Sequence, residues 1–343
     1  MRSSTVTRSI LLLCGAALLL GAAPIALTAE GGSRPALSPP LPDGGELPAE
    51  WIAAERIELW AGKPPGGDFV AAQADSPLLK MLPDSFKTPR FARDVATPSL
   101  QVFKPQKSNG RALLITPGGG FMLVAIEFEG LRVATEMTKR GYTVFVLTYR
   151  LPGEGWSAPA DVSLQDAQRA VRIIRSRAGK YGFRDDHVAM LGFSAGGYVA
   201  ALSSTNFAEK SYERRDSVDD FSARPDATGL IYPVITMAGP DRFQGAGAIT
   251  GANPSPDLIL KRSPEKQVSA STPPIFIVHA LDDAVVPAGN SVAMMAAMQT
   301  AKRPVEAHFF EEGGHGFSLG DAKSPSGMWI QLYAAWLDRI FAR

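Results

Sequence analysis

A serine stands between glycines in Gly192-Phe193-Ser194-Ala195-Gly196, an aspartate heads Asp283-Ala284-Val285-Val286-Pro287, and a histidine sits in Gly313-Gly314-His315-Gly316. A serine hydroxyl attacks a carbonyl only when a base takes its proton, and the base works best when a carboxylate fixes its orientation. Ser194, His315 and Asp283 are the residue types for those three roles. The G-x-S-x-G spacing alone fits a plain tight turn as well as an exposed nucleophile, so its context decides. Asp282 is the rival carboxylate, read instead as a cap or a solvent-facing group. A fourth element, Gly118, Gly119 and Gly120 after Pro117, has no side chains to shield its backbone. Its N–H groups, with that of Ala195, could hold a developing negative oxygen. The other reading of these glycines is a simple connection or a phosphate cradle. No Lys follows at the P-loop spacing, and G-x-G-x-x-G fails at Leu123.

These groups matter only if the fold brings them together. From Ser99 onward, short apolar runs alternate with stretches of helical period. Strands are expected at 99–105, 111–117, 142–151, 187–193, 227–235, 273–281 and 305–311, and helices at 127–141, 161–182, 195–205, 291–301 and 327–343. Asp161 or Ser163 is the expected cap of the second helix, and Gly141 the stop of the first. The alternation implies an α/β fold whose mostly parallel sheet carries helices on both faces. Ser194, Asp283, His315 and the glycine turn then all follow C-terminal strand ends, where open parallel sheets build their sites. Gly192 and Gly196 would permit a sharp strand-to-helix turn at Ser194.

The chain has 343 residues, 45% hydrophobic and 20% charged, with a formal net charge of +1. It is long enough for one large domain, and no basic run exceeds Arg214-Arg215, which excludes nucleic acid and anionic membrane surfaces as expected partners. The four histidines (His187, His279, His308 and His315) show no paired metal spacing, so neither a metal nor a cofactor is expected. His279 could line the pocket near Asp283 or be a hydrogen-bonded structural residue. Tyr232 and Pro233 could line the acyl pocket or simply pack. Asp166 reads as structural, and 206–226 as a solvated loop.

Residues 1–29 place Arg2 and Arg8 before an apolar stretch and small residues, the order of a signal peptide, with a retained anchor as the alternative. The only cysteine, Cys14, lies there, and Leu13 before it speaks against a lipoprotein site, so the mature chain needs no disulfide. Residues 30–50 read as a Pro/Gly-rich linker, and 51–343 as a catalytic domain with an N-terminal extension over 51–98. A secreted or periplasmic location follows from this leader.

The order Ser, Asp, His is that of α/β-hydrolases, whose lipase-type members carry HGGG where this chain has Pro117 and three glycines. From about Ile57 to the C-terminus the chain resembles the bacterial carbohydrate acetyl esterases of this fold, often termed acetylxylan-esterase-like. The marks are "PGGGF", Glu129-Gly130, "YRLP", "GFSAGGYVA", "RPDATGLIYPVI", the stretch from "GANPSPD" to "DDAVVP", and "EGGHGF". The resemblance implies a secreted serine esterase that removes acetyl groups from plant polysaccharides or their oligosaccharides through an acyl-enzyme, without a cofactor. Phe121 departs from the Tyr that members often carry there. The alternatives are another hydrolase of this fold, such as an exopeptidase or a general short-chain carboxylesterase, and a non-enzymatic carbohydrate-binding protein.

Overall fold

Continuous apolar runs form the middle of one eight-stranded sheet in the computed structural model, which describes residues 46–67, 88 and 90–342. The strands are β1 (Glu55–Glu58), β2 (Ser99–Phe103), β3 (Ala112–Thr116), β4 (Thr143–Thr148), β5 (Val188–Phe193), β6 (Ala227–Ile231), β7 (Ile275–Ala280) and β8 (Val305–Phe310). Their order is β1-β2-β4-β3-β5-β6-β7-β8, with β1 and β2 antiparallel to their neighbours and the rest parallel. Every residue of β3, β5, β6 and β7 is buried, so both faces of the central sheet are covered. The cover includes α1 (Arg132–Lys139) on β4, α2 (Val162–Ser176) and α3 (Ser194–Thr205) against each other, α4 (Gly289–Thr300) on β7 and β8, and α5 (Trp329–Phe341) on β6 and β7. This is the α/β-hydrolase fold.

The chain leaves β3 for β4 on one side and returns to β5 on the other, so the strand order reverses at β3 and β5. Loops after two adjacent strands that lead in opposite directions leave a crevice between them. The glycine turn after β3 and Ser194 after β5 flank that crevice.

Several expectations need correction. β1 is absent from the sequence reading, because an edge strand reading Glu-Arg-Ile-Glu buries only Ile57 and shows no apolar run. Ala49 and Glu50, placed in the linker, begin a short helix, Ala49–Ala53, that buries Trp51. The first expected helix opens with a wide turn over Ile126–Leu131 before α1, and Gly141 (φ +89°) ends it. Neither expected side chain caps α2: Asp161 pairs with Arg262, and the Ser163 hydroxyl donates to the Arg150 carbonyl (2.9 Å). The 206–226 loop is held by α2, where Arg169 pairs with Asp216 (2.6 Å) and Asp219 (2.9 Å). Asp166 is structural, fully buried against Arg150 (2.8 Å) and accepting the Trp60 indole N–H (2.8 Å), which fastens the N-terminal extension. The signal-peptide reading and the linker up to residue 45 fall outside the described residues; among the described residues no helix is long and apolar enough to cross a membrane.

Candidate active site

Ser194 sits at the junction of β5 and α3 with φ +50°, in the left-handed region that costs a non-glycine residue about 1–2 kcal/mol. Close packing imposes this turn. A side chain at Gly196 would collide with the Thr116 and Pro117 carbonyls at the end of β3, and one at Gly192 with the Gly196 carbonyl and Ala200. The glycines thus let α3 begin against the end of β3. There the Thr116 hydroxyl donates to the Gly196 carbonyl (2.9 Å), and the turn pushes the Ser194 hydroxyl out of the sheet.

The structure brings together the three side chains that the sequence pointed to. Ser194 Oγ lies 2.8 Å from His315 Nε2, and His315 Nδ1 lies 2.7 Å from Asp283 Oδ2. His315 is flexibly flanked in sequence but fixed in space. Gly314 (φ +61°) and Gly316 (φ +75°) shape its loop, and its ring meets the Tyr232 ring edge-on at 5.0 Å. Asp283 Oδ1 accepts the Val285 and Val286 N–H groups, both at 2.9 Å. Burial pushes the Asp283 pKa up, but hydrogen bonds from His279 and His315, the His315 charge and the Val286 N–H outweigh it and hold this carboxyl well below the usual range. Asp283 is therefore an anion at any working pH. Asp282 does not reach His315: it is exposed and accepts the Gly314 N–H (2.8 Å), steadying the histidine loop from outside.

The glycine turn requires one correction. The Gly118 N–H donates to Glu129 Oε2 at 2.6 Å, so it has no hydrogen left for a substrate oxygen. Gly119 (φ +135°) and Gly120 (φ +64°) have N–H groups without a partner among the described residues. Ala195, in the first turn of α3, has no intrahelical acceptor for its N–H. These three are the donors left to face a bound oxygen.

Glu129 is the residue that sequence reasoning missed. It stood only as half of a resemblance mark, with no local signal of a role. The structure buries it: Oε2 takes the Gly118 N–H, and Oε1 takes the Tyr232 hydroxyl (2.8 Å). Burial raises its pKa, against the opposing pull of Gly118, Tyr232 and the His315 charge. Tyr232, in turn, accepts the Ser318 N–H (3.0 Å), and the Ser318 hydroxyl donates to the Phe128 carbonyl (2.6 Å). One buried carboxyl thus joins the glycine turn, the end of β6 and the histidine loop. Tyr232 packs and positions in this way rather than presenting an open wall, being fully buried.

His279 is buried too and does not line a pocket; it bonds Ser291, Val286 and Asp283. His187 pairs with Asp186 and His308 with Glu306, away from His315. No group of three metal-ligating side chains occurs among the described residues. Phe121 is buried against Tyr198 and Phe243, so its ring offers no surface to a sugar.

The BD-FAE family model matches residues 100–298, a stretch that includes the glycine turn, Ser194 and Asp283. The chain is 35% identical over 216 residues to endo-1,4-beta-xylanase B of Butyrivibrio fibrisolvens, covering 63% of this chain and 34% of that protein. It is 29% identical over 245 residues to an acetylxylan esterase of Xylanibacter ruminicola, covering 69% of this chain and 47% of that one. The chain therefore spans between a third and a half of these relatives' length. Among solved structures, an acetyl ester-xyloside bifunctional hydrolase from Caldicellulosiruptor lactoaceticus superposes with a TM-score of 0.63 at 30% identity, covering 82% of this chain and 98% of that one.

Proposed function

The chain belongs to the BD-FAE family of α/β-hydrolases, and from that premise we propose that it is a serine carboxylic ester hydrolase that removes acetyl groups from plant polysaccharides or their oligosaccharides. The observation that carries the proposal is the unbroken path Ser194 Oγ–His315 Nε2 (2.8 Å) and His315 Nδ1–Asp283 Oδ2 (2.7 Å), beside unpaired backbone donors. In this reading anionic Asp283 holds the Nδ1–H tautomer of His315, leaving the Nε2 lone pair to take the Ser194 proton. Ser194 Oγ then attacks the ester carbonyl. The tetrahedral oxyanion accepts hydrogen bonds from Gly119, Gly120 and Ala195, which are fixed before the charge develops. His315 gives its proton to the sugar oxygen as the bond to the acyl carbon breaks, so the sugar leaves as an alcohol, and water repeats the sequence on the acyl-enzyme. The acetyl group and the sugar rest on the likeness to the acetylxylan esterase and to the acetyl ester-xyloside hydrolase. Export of the chain, with cleavage near residue 29, rests on the Arg2, Arg8 and apolar order of the leader.

The test is acetate release from acetylated xylan and acetylated xylo-oligosaccharides, with Ser194→Ala as the control. Release by the native chain and loss of about 10⁴-fold or more in the variant is the expected result. No release from any acetylated sugar, with nitrophenyl acetate still hydrolysed, overturns the substrate; a folded Ser194→Ala that keeps a tenth of the rate overturns the mechanism.

A further inference from the structure

Asp283 is held by two histidines. Its Oδ2 accepts from His315 Nδ1 at 2.7 Å and is also approached by His279 Nε2 at 3.2 Å. His279 is the fifth residue of β7, fully buried under α4. Its Nε2 also faces the Val286 carbonyl at 2.9 Å. Two acceptors on one nitrogen mean that Nε2 carries the hydrogen, shared between the Val286 carbonyl and the Asp283 carboxylate. The other nitrogen, Nδ1, lies 2.7 Å from Ser291 Oγ on α4 and in the neutral ring accepts that hydroxyl's hydrogen. Ser291, His279 and Asp283 thus repeat the order of Ser194, His315 and Asp283 around one carboxylate. Ser291 is fully buried, so no ester reaches it, and this copy holds rather than reacts.

We propose, resting on the ester-hydrolase reading above, that His279 is a positioning residue that shares the Asp283 oxygen with His315 and thereby sets the pH above which His315 works as a base. A carboxylate oxygen that already accepts one hydrogen bond attracts a second donor less strongly. With His279 in place, Asp283 orients His315 without holding its second proton too tightly. Remove the Nε2–H and the whole of Oδ2 turns to the imidazolium, which then keeps its proton to higher pH. The Ser291 hydroxyl strengthens the effect, because a hydrogen bond received at Nδ1 polarises the ring and improves Nε2–H as a donor.

The charged surroundings leave His279 as the group that can act this way. α4 carries no titratable side chain; Asp241 packs against Gly289 at the same N-terminal end as Ser291, but the hydrogen bonds of His279 go to Ser291, Asp283 and Val286 and not to it. On β8, Glu306 and His308 pair with each other, and His308 is in register with Val278, so both point to the opposite face from His279. His315 is faced by Asp283, by the Tyr232 ring and by the buried Glu129, while Asp282 is tied to Gly314.

The experiment is the pH profile of kcat on nitrophenyl acetate for His279→Leu, His279→Gln and Ser291→Ala, with folding followed by circular dichroism. His279→Leu, which lacks the donor, is expected to move the acid-limb midpoint up by about half to one pH unit, a loss of about three- to tenfold in rate below it. His279→Gln, whose amide N–H can replace Nε2–H, is expected to return most of that shift. Ser291→Ala is expected to shift the midpoint in the same direction by less, and serves if the leucine variant fails to fold. A role in packing alone would lower the melting temperature and leave the midpoint in place. A midpoint that stays put or moves down in a folded variant overturns the proposal. Ser194→Ala assayed alongside separates the two readings: if it stays active, the ester-hydrolase mechanism falls and this proposal with it, whereas an inactive Ser194→Ala with an unmoved midpoint overturns the His279 role alone.

Discussion

Replacing Glu129 by Gln changes no volume and removes one acceptor, and the site is built so that this alone is felt. The two carboxyl oxygens each hold one donor, Gly118 N–H at 2.6 Å and Tyr232 O–H at 2.8 Å. A carboxamide has one oxygen and one NH₂. If the oxygen keeps Gly118, the NH₂ faces Tyr232 Oη, which already accepts from Ser318, and the phenol hydrogen is left unpaired in a fully buried place. An orphaned buried donor costs about 1–3 kcal/mol. If the oxygen keeps Tyr232 instead, the NH₂ faces the Gly118 N–H, and that donor is the one left unpaired; both outcomes loosen the machinery. The position of a Gly118 side chain would lie against Ser194 Cβ (2.8 Å), so movement of Gly118 moves the nucleophile's neighbour. Release of Tyr232 frees Ser318, three residues past His315. If about 2 kcal/mol of that cost appears in the transition state, kcat falls about 30-fold. KM should change by no more than about threefold, since Glu129 is buried beneath the site and meets no substrate.

Stability responds differently. Burial raises the Glu129 pKa above its unfolded value, so folding stability falls as pH rises from the unfolded value through the folded one, a cost that the buried carboxyl brings to the native state. The amide removes it. The melting temperature of Glu129→Gln should therefore fall little at pH 7–8 while kcat falls steeply. Steady-state kinetics on nitrophenyl acetate, paired with a thermal melt, reads both. A kcat within twofold of the native value refutes the claim that Glu129 organises the site.

Three further expectations follow from named contacts. Asp283→Asn should lower kcat by about 10⁴-fold, because an amide selects the wrong His315 tautomer, whereas Asp282→Asn keeps an acceptor for Gly314 and should cost less than about tenfold; the reverse order in parallel assays would move the orienting role to Asp282. Burial raises the Glu209 pKa, and its ion pairs with Arg262 and Lys261 more than reverse this, bringing it to about 2; its contribution is present above the unfolded value of 4.5 and lost as pH falls toward 2. Glu209→Gln should then cost up to about 3 kcal/mol at pH 7 and nothing near pH 2, and equal denaturant midpoints for both proteins at pH 7 would contradict it. In a nitrophenyl ester series, kcat/KM should peak at acetyl or propionyl and drop by octanoyl, since the charged 206–226 loop is bound to α2 and offers no apolar cover for a chain that would forgo about 0.8 kcal/mol per exposed methylene; an optimum at eight carbons or beyond would point to a lipase-like site.

Ser194, Asp283 and His315 were legible because each is a chemically distinctive residue at the end of an apolar run, and glycines mark the turns that expose them. The sheet was legible for the same reason: β3 to β7 are buried on both faces, and burial leaves continuous apolar strings. What escaped has the opposite character. β1 lies at the sheet's edge with one buried side chain, so it carries no string to read. Gly118 looked like a free donor because a missing side chain exposes an N–H, and nothing local says that a carboxylate eleven residues on will take it. Glu129 and Tyr232 are 103 residues apart, and neither has a neighbour that predicts the other. Buried polar residues are selected by whether their hydrogen bonds close, which is a property of the assembled fold and not of a window of sequence. Sequence therefore displays the groups proposed to meet the ester, while the layer beneath them, Glu129, Tyr232 and His279, becomes visible only when the donors and acceptors of the folded chain are paired one by one. It is that layer which decides whether Ser194, His315 and the glycine turn hold their positions relative to one another, and so how much of their chemistry is realised.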